Sequence, residues 1–218
     1  MKFALILTVL FGLIITLKSE CLPIMEKAEL EKENISQERR ETLLELAKAI
    51  SEAEDPKLVF ICTHNSRRSH LAQVKMAEAA NKFGIKLETY SGGTEATAFN
   101  DNARNALVNA GFEIKETERL AGENNKIYEL AIGDKTLELF SKKFSDPTVP
   151  HSGIIAVMVC SDADKNCPYV PGADERFAIP YSDPKSSDGS GKEEEVYGER
   201  LLQIASEMLF VAEHIKRK

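Results

Sequence analysis

Leu58-Val-Phe-Ile-Cys62-Thr-His-Asn-Ser-Arg-Arg68-Ser69 joins a short apolar run of β type to a polar stretch that starts a helix. The apolar run stops at Cys62, and Arg68 follows after five intervening residues. That C-x5-R spacing lets one loop curl so that its backbone N–H groups, a thiol and a guanidinium face a single anion. A helix beginning near Ser69 adds unpaired N–H groups and the positive end of its dipole. A tetrahedral oxyanion fits such a cradle. Its candidate contacts are Thr63, His64, Asn65, Ser66, Arg67, Arg68 and Ser69, with Cys62 as the candidate nucleophile. Only a thiolate attacks well, and an ordinary cysteine is a few per cent thiolate at neutral pH. A helix dipole contributes at most about 2 kcal/mol, so the chemistry needs the whole loop and Arg68. The plain alternative is a buried cysteine ending a core strand, which leaves the residues from Asn65 to Ser69 unexplained.

Outward from this stretch, strands and helices alternate. Leu71, Val74, Met76, Ala77 and Ala80 predict a crossover helix over Ser69–Phe83, and Lys86–Tyr90 a second strand that ends at Ser91-Gly92-Gly93-Thr94. A helix over 100–112 takes Asn100 or Asp101 as its N-cap and stops at Gly111. Ile154–Val159 reads as a third strand delivering Cys160, and Arg176–Pro180 as a fourth leading to Tyr181-Ser-Asp183-Pro-Lys185. A Ser/Gly-rich loop over 186–192 precedes a final helix, Glu193–Ile215. This order implies a three-layer α/β/α fold. Its central parallel four-stranded sheet would bind ligands at the strands' carboxyl ends, with the anion loop after strand 1.

Residues 56–218 form that domain. An insertion at 113–150 suggests a hairpin, Ile127–Ile132 and Thr136–Phe140, turned by Gly133-Asp134. The insertion is read either as a solvated excursion or as the source of partner preference. Before the domain lies a charged extension, 21–55, with one helix over Ser36–Ala53 at the domain edge or acting as a spacer. Residues 1–20 carry Lys2 and an apolar run from Phe3 to Leu17, too short for a comfortable membrane span and suited to a secretory signal or anchor. Cys21 invites a lipoprotein reading, and Met25 offers an alternative start that makes the protein cytoplasmic rather than exported or periplasmic. The net charge of −7 over 218 residues argues against a nucleic-acid binder. Membrane contact would come only through the N-terminal segment.

Cys160 and Cys167 are seven residues apart. On a helix that spacing is roughly 10 Å, beyond the roughly 7 Å between Cα atoms that a disulfide tolerates, so their oxidation needs the helix to unwind. Two buried cysteines or an exported structural disulfide are the other readings. The spacing matches no common zinc pattern, and neither metal nor cofactor is expected.

The Val59–Ser69 stretch resembles the phosphate loop of the low-molecular-weight protein tyrosine phosphatase superfamily, which includes the thioredoxin-coupled arsenate reductases. The family loop usually carries a small residue at the place of His64 and often a cysteine at the place of Arg67. The Cys160–Cys167 segment resembles the redox segment of the arsenate reductases, and Asp183-Pro184 the aspartate-proline loop that protonates the departing oxygen. Ser91 resembles a serine behind the phosphate loop. The resemblance implies an arsenate reductase in which Cys62 attacks arsenate, Cys160 displaces arsenite and Cys167 resolves the disulfide, with a thioredoxin-like dithiol as partner. The alternative is a phosphatase acting on phosphoproteins, and a further alternative an anion-binding or redox-sensing module without turnover. Lys185 and Ser186 stand where the phosphotyrosine phosphatases commonly place a tyrosine.

Overall fold

Strands apolar on both faces need cover on both faces, and this requirement organises the protein. β1 (Lys57–Cys62) and β6 (Ile154–Met158) are buried along nearly their whole length. They lie side by side at the centre of a parallel sheet of order β2-β1-β6-β7, where β2 is Glu88–Gly93 and β7 is Ala173–Ala178. Helices flank the sheet, as the alternation predicts. The structure, a computed structural model, describes residues 23–166 and 169–216. The apolar run 3–17, Cys21 and Cys167 lie outside the described residues. Among the described residues no helix is long and apolar enough to cross a membrane.

The remaining elements in chain order are α1 (Ile24–Glu31), α2 (Gln37–Glu52), α3 (Arg68–Phe83), α4 (Asp101–Asn109), β3 (Ile114–Gly122), β4 (Asn125–Ile132), β5 (Lys135–Leu139), α5 (Ser161–Asn166) and α6 (Glu193–His214), with short 3-10 turns at Lys32–Asn34 and Pro184–Ser187. The side chain of Asn100 caps α4, accepting from the Ala103 amide at 3.1 Å. Helices α1 to α4 each pack against α6, whose buried face includes Tyr197, Leu201, Ile204, Met208 and Val211.

Three features depart from the sequence-based reading. The extension is no spacer: it holds a further helix, α1, and α2 buries Leu43, Leu46, Ala47, Ala49 and Ile50 in the main core. The insertion is a three-stranded antiparallel sheet, β3-β4-β5, rather than a hairpin alone, with Gly133 at φ 61° opening the expected β4–β5 turn. β2 runs on to Gly93 because Ser91, Gly92 and Gly93 stay in register with Phe60, Ile61 and Cys62. The glycines are thus strand residues beside the loop, not a connection beyond it.

Candidate active site

The loop between β1 and α3 is shaped by what becomes of its carbonyls. Those of Cys62 and Thr63 accept from the Thr94 and Glu95 amides at 3.2 and 2.8 Å, and that of Ser66 from the Asn100 amide at 3.0 Å. The His64 carbonyl accepts from the Ser141 hydroxyl at 2.8 Å. With its carbonyls drawn outward, the loop turns its amides the other way. Among the described residues no N–H from Thr63 to Arg67 donates to another protein group. Backbone amides gathered at a helix N-terminus form an anion site.

Asn65 makes the curl. It is fully buried and sits at φ 44°, the left-handed region that asparagine tolerates better than most residues. Its carboxamide donates to Ser69 Oγ at 2.8 Å and accepts from the Lys142 amide at 2.9 Å. Ser69 Oγ lies 3.1 Å from Cys62 Sγ. Either group can donate in that contact while the sulfur is a thiol, and the hydroxyl donates once the sulfur is a thiolate. Gly93 passes behind the loop so closely that a Cβ there would sit 2.7 Å from both the Asn65 nitrogen and the Thr63 oxygen. Only glycine fits.

Arg68 heads α3 with its guanidinium nearly buried, donating to the Tyr181 carbonyl at 3.0 Å and to Asp183 Oδ2 at 2.6 Å. Residues 115 positions apart in sequence are thereby joined. Cys160 follows β6, the strand beside β1, and its sulfur lies 3.5 Å from Thr63 Oγ1 while accepting from the Ala163 amide at 3.3 Å. Cys62, Thr63, Asn65, Arg68, Ser69, Cys160 and Asp183 thus converge. The other candidates sit around them. His64 is exposed and 3.5 Å from Glu95. Ser66 donates to the Ala98 carbonyl at 2.7 Å. Arg67 points its side chain to Tyr197 and Asp188. Ser91 lies within β2, 3.2 Å from His70 Nδ1.

A model of the low molecular weight phosphotyrosine protein phosphatase family matches residues 57–125. An arsenate reductase of Staphylococcus epidermidis is 33% identical over 136 residues, 61% of this chain and 81% of the relative. One of Bacillus licheniformis is 27% identical over 152 residues, 70% of this chain and 91% of the relative. The chain belongs to the low-molecular-weight protein tyrosine phosphatase superfamily. A low-molecular-weight phosphotyrosine phosphatase of Vibrio cholerae shares the superfamily's fold with it at TM-score 0.50 and 12% identity, over 72% of this chain and 95% of that one.

Several residues around the superfamily's loop escaped sequence reasoning. Ser141 and Lys142 reach it from just after β5, 77 positions from their partners. They make the inserted sheet a brace rather than an excursion. Burial pushes the Lys142 ammonium down to about 8, against the pull of Asp146 and Glu138. His70, fully buried against Phe99 at 4.3 Å, is held well below the usual imidazole range by burial and then by Lys142. No pattern in the sequence announces residues that act through one backbone group across such separations. A cavity of about 690 Å³ opens between α3, β2 and the β4–β5 turn, bounded by Gln73, Thr89 and Leu137 and by none of the residues 62–69. Among the described residues no cluster of three or more His, Cys, Asp and Glu could hold a metal ion.

Proposed function

We propose that the protein is an arsenate reductase that uses its own cysteines as electron donors. The observation carrying this reading is a second free thiol, Cys160, whose sulfur lies 3.5 Å from the hydroxyl of Thr63, the residue next to Cys62 in the loop. The names of the curated relatives point the same way.

Arsenate is bound by the loop amides, Arg68 and the Ser69 side of the loop. The Cys62 thiolate attacks arsenic, an S–As bond forms, and one As–O bond breaks as that oxygen takes the Asp183 proton and leaves as water. Arsenic is still pentavalent at this point. Attack of Cys160 on Cys62 then forms an S–S bond and returns the S–As pair to arsenic, which departs as arsenite. Cys167 attacks Cys160, freeing Cys62 and leaving a Cys160–Cys167 disulfide for an external dithiol of thioredoxin type to reduce. Since α5 spans Ser161–Asn166, that last disulfide requires the helix to open.

The test is arsenite release in the presence of a dithiol reductant. Cys62→Ser should abolish it. Cys160→Ser should block turnover yet spare slow hydrolysis of an aryl phosphate, which water completes without a second thiol. Cys167→Ser should release about one arsenite per enzyme and trap a Cys62–Cys160 disulfide, visible by peptide mapping. A second reading, phosphate-monoester hydrolysis, is favoured by the acid beside Arg68. It takes over if the wild type reduces no arsenate and both Cys160→Ser and Cys167→Ser hydrolyse aryl phosphate as the wild type does.

A further inference from the structure

Arg68 has two claims on it. Its Nη2 donates to Asp183 at 2.6 Å and its Nη1 to the Tyr181 carbonyl at 3.0 Å, and in the reaction proposed above the same guanidinium binds the oxyanion. Asp183 must therefore let go of Arg68 at the moment it is required at a departing oxygen. Its own turn does little to keep it in place: Asp183 Oδ1 accepts from the Lys185 amide at 3.1 Å, and Ser187 closes back on Pro184 at 2.8 Å, both contacts internal to the loop.

Pro184 and Ser187 are buried where the turn packs on α6, and beyond the turn the neighbouring arginine ties the loop down. Arg67 Nη2 donates to Asp188 Oδ2 at 3.2 Å, and Arg67 Nε donates to the Tyr197 hydroxyl at 2.9 Å. That hydroxyl donates to Asp188 Oδ1 at 2.7 Å, which closes a triangle, and Asn102 adds a further donor to Asp188 at 3.0 Å. Tyr197 is wholly buried on α6, so the triangle is moored to the core. Two consecutive arginines thus hold two aspartates of one loop, five positions apart. None of the contacts made by Arg67 competes with the oxyanion.

We propose that Arg67 is a positioning residue whose hold on Asp188 and Tyr197 keeps the acid loop over the cysteine loop while Asp183 exchanges Arg68 for the departing oxygen. The proposal rests on Asp183 being the proton donor of the reaction above. In that step the S–As bond forms, the As–O bond breaks, and the Asp183 proton leaves with the oxygen as water. Arg67 gains and loses no bond to substrate. It acts through the place of the carboxyl group, a displacement of which by about 1 Å can cost about a hundredfold in rate. Coulomb steering of the anion is a poor alternative, because the guanidinium faces the Asp188 carboxylate.

The experiment is a double-mutant cycle on the full chain, read as arsenite formed with a dithiol reductant or, if arsenate is not reduced, as phenol released from phenyl phosphate. Asp183→Asn should lower kcat by about 10² to 10⁴. Arg67→Met should lower kcat by at least about tenfold, with KM and inhibition by inorganic phosphate within about twofold. In the Asp183→Asn background Arg67→Met should change nothing further, because a misplaced acid and a missing acid are the same loss. Arg67→Lys should recover part of the rate. Asp188→Asn carries the same expectation if Arg67→Met does not fold. Multiplying losses in the double mutant, or a rise in KM and in the phosphate inhibition constant with kcat intact, overturns the proposal. An Asp183→Asn variant as fast as wild type overturns it together with the proton-donor assignment. Absence of arsenite with the cycle intact on phenyl phosphate removes the reductase reading alone.

Discussion

Residues 62–69 and residues 181–188 both leave the carboxyl ends of parallel strands, and they are fastened by different means. The cysteine loop is tied through its own carbonyls to Thr94, Glu95, Asn100 and Ser141, and it is closed from behind by Gly93. Past the Tyr181 amide, which donates to the Val159 carbonyl at 3.1 Å, the acid loop is held by side chains. Arg68 and Asp183 meet near its start and Arg67, Tyr197 and Asp188 at its end, while the Tyr181 hydroxyl donates to Glu207 at 2.7 Å. Backbone ties with no alternative partner fix geometry, whereas ion pairs can be exchanged for a ligand. The proposed reaction asks for the first kind of structure in its anion cradle and the second in its proton donor.

Gly93→Ala tests the rigid side and should have the largest effect. Its Cβ meets backbone on two sides of the loop. The expectation is a loss of turnover of at least about a hundredfold together with weaker protection of Cys62 by arsenate or phosphate against alkylation. Retention of both would mean that the loop yields as easily as its neighbour.

The exchangeable side has a deeper support that can be cut at a residue outside both loops. Arg39 of α2 donates to Glu207 at 2.8 Å and to the Pro180 carbonyl at 3.3 Å, and its guanidinium lies 5.0 Å from the centre of the Tyr181 ring. Arg39→Met should lower kcat by roughly tenfold or less, a fraction of what a general acid contributes, and leave phosphate inhibition unchanged. Equal damage to anion binding would show that the two loops are not separately supported.

The smallest effect lies under the cysteine loop and appears in stability. His70 is held neutral in the folded state, its pKa depressed well below 6.5. The unfolded chain binds a proton there as pH falls through about 6.5 and the folded chain does not, so stability drops on that side and is complete above it. His70→Gln should flatten the fall in thermal midpoint between about pH 6.5 and pH 5. An unchanged slope would mean that His70 takes up its proton without unfolding.

The Val59–Ser69 stretch was legible because its chemistry is local: strand, thiol, arginine and helix start follow one another within a dozen residues. β1 and β6 were legible as continuous apolar runs and α6 from its apolar periodicity, whereas β7 starts three residues before the expected Arg176 and has no buried position. β3 was not legible, because its nine residues include no buried position and carry the polar run Lys115-Glu-Thr-Glu-Arg119. The brace at Ser141 and Lys142 and the triangle at Arg67 were invisible for another reason. Each depends on which elements the fold brings together, and Arg67 in sequence looks like one more loop cation when in space it is a tie to α6. Cys167 has its pattern in the sequence and lies outside the described residues.

The outward-drawn carbonyls of residues 62–64 and 66 also have a calorimetric consequence. A loop already folded around its amides has little backbone entropy left to lose when an anion enters. Arsenate or phosphate would bind through charge-assisted hydrogen bonds and bury little apolar surface, so the binding heat should be favourable and nearly independent of temperature.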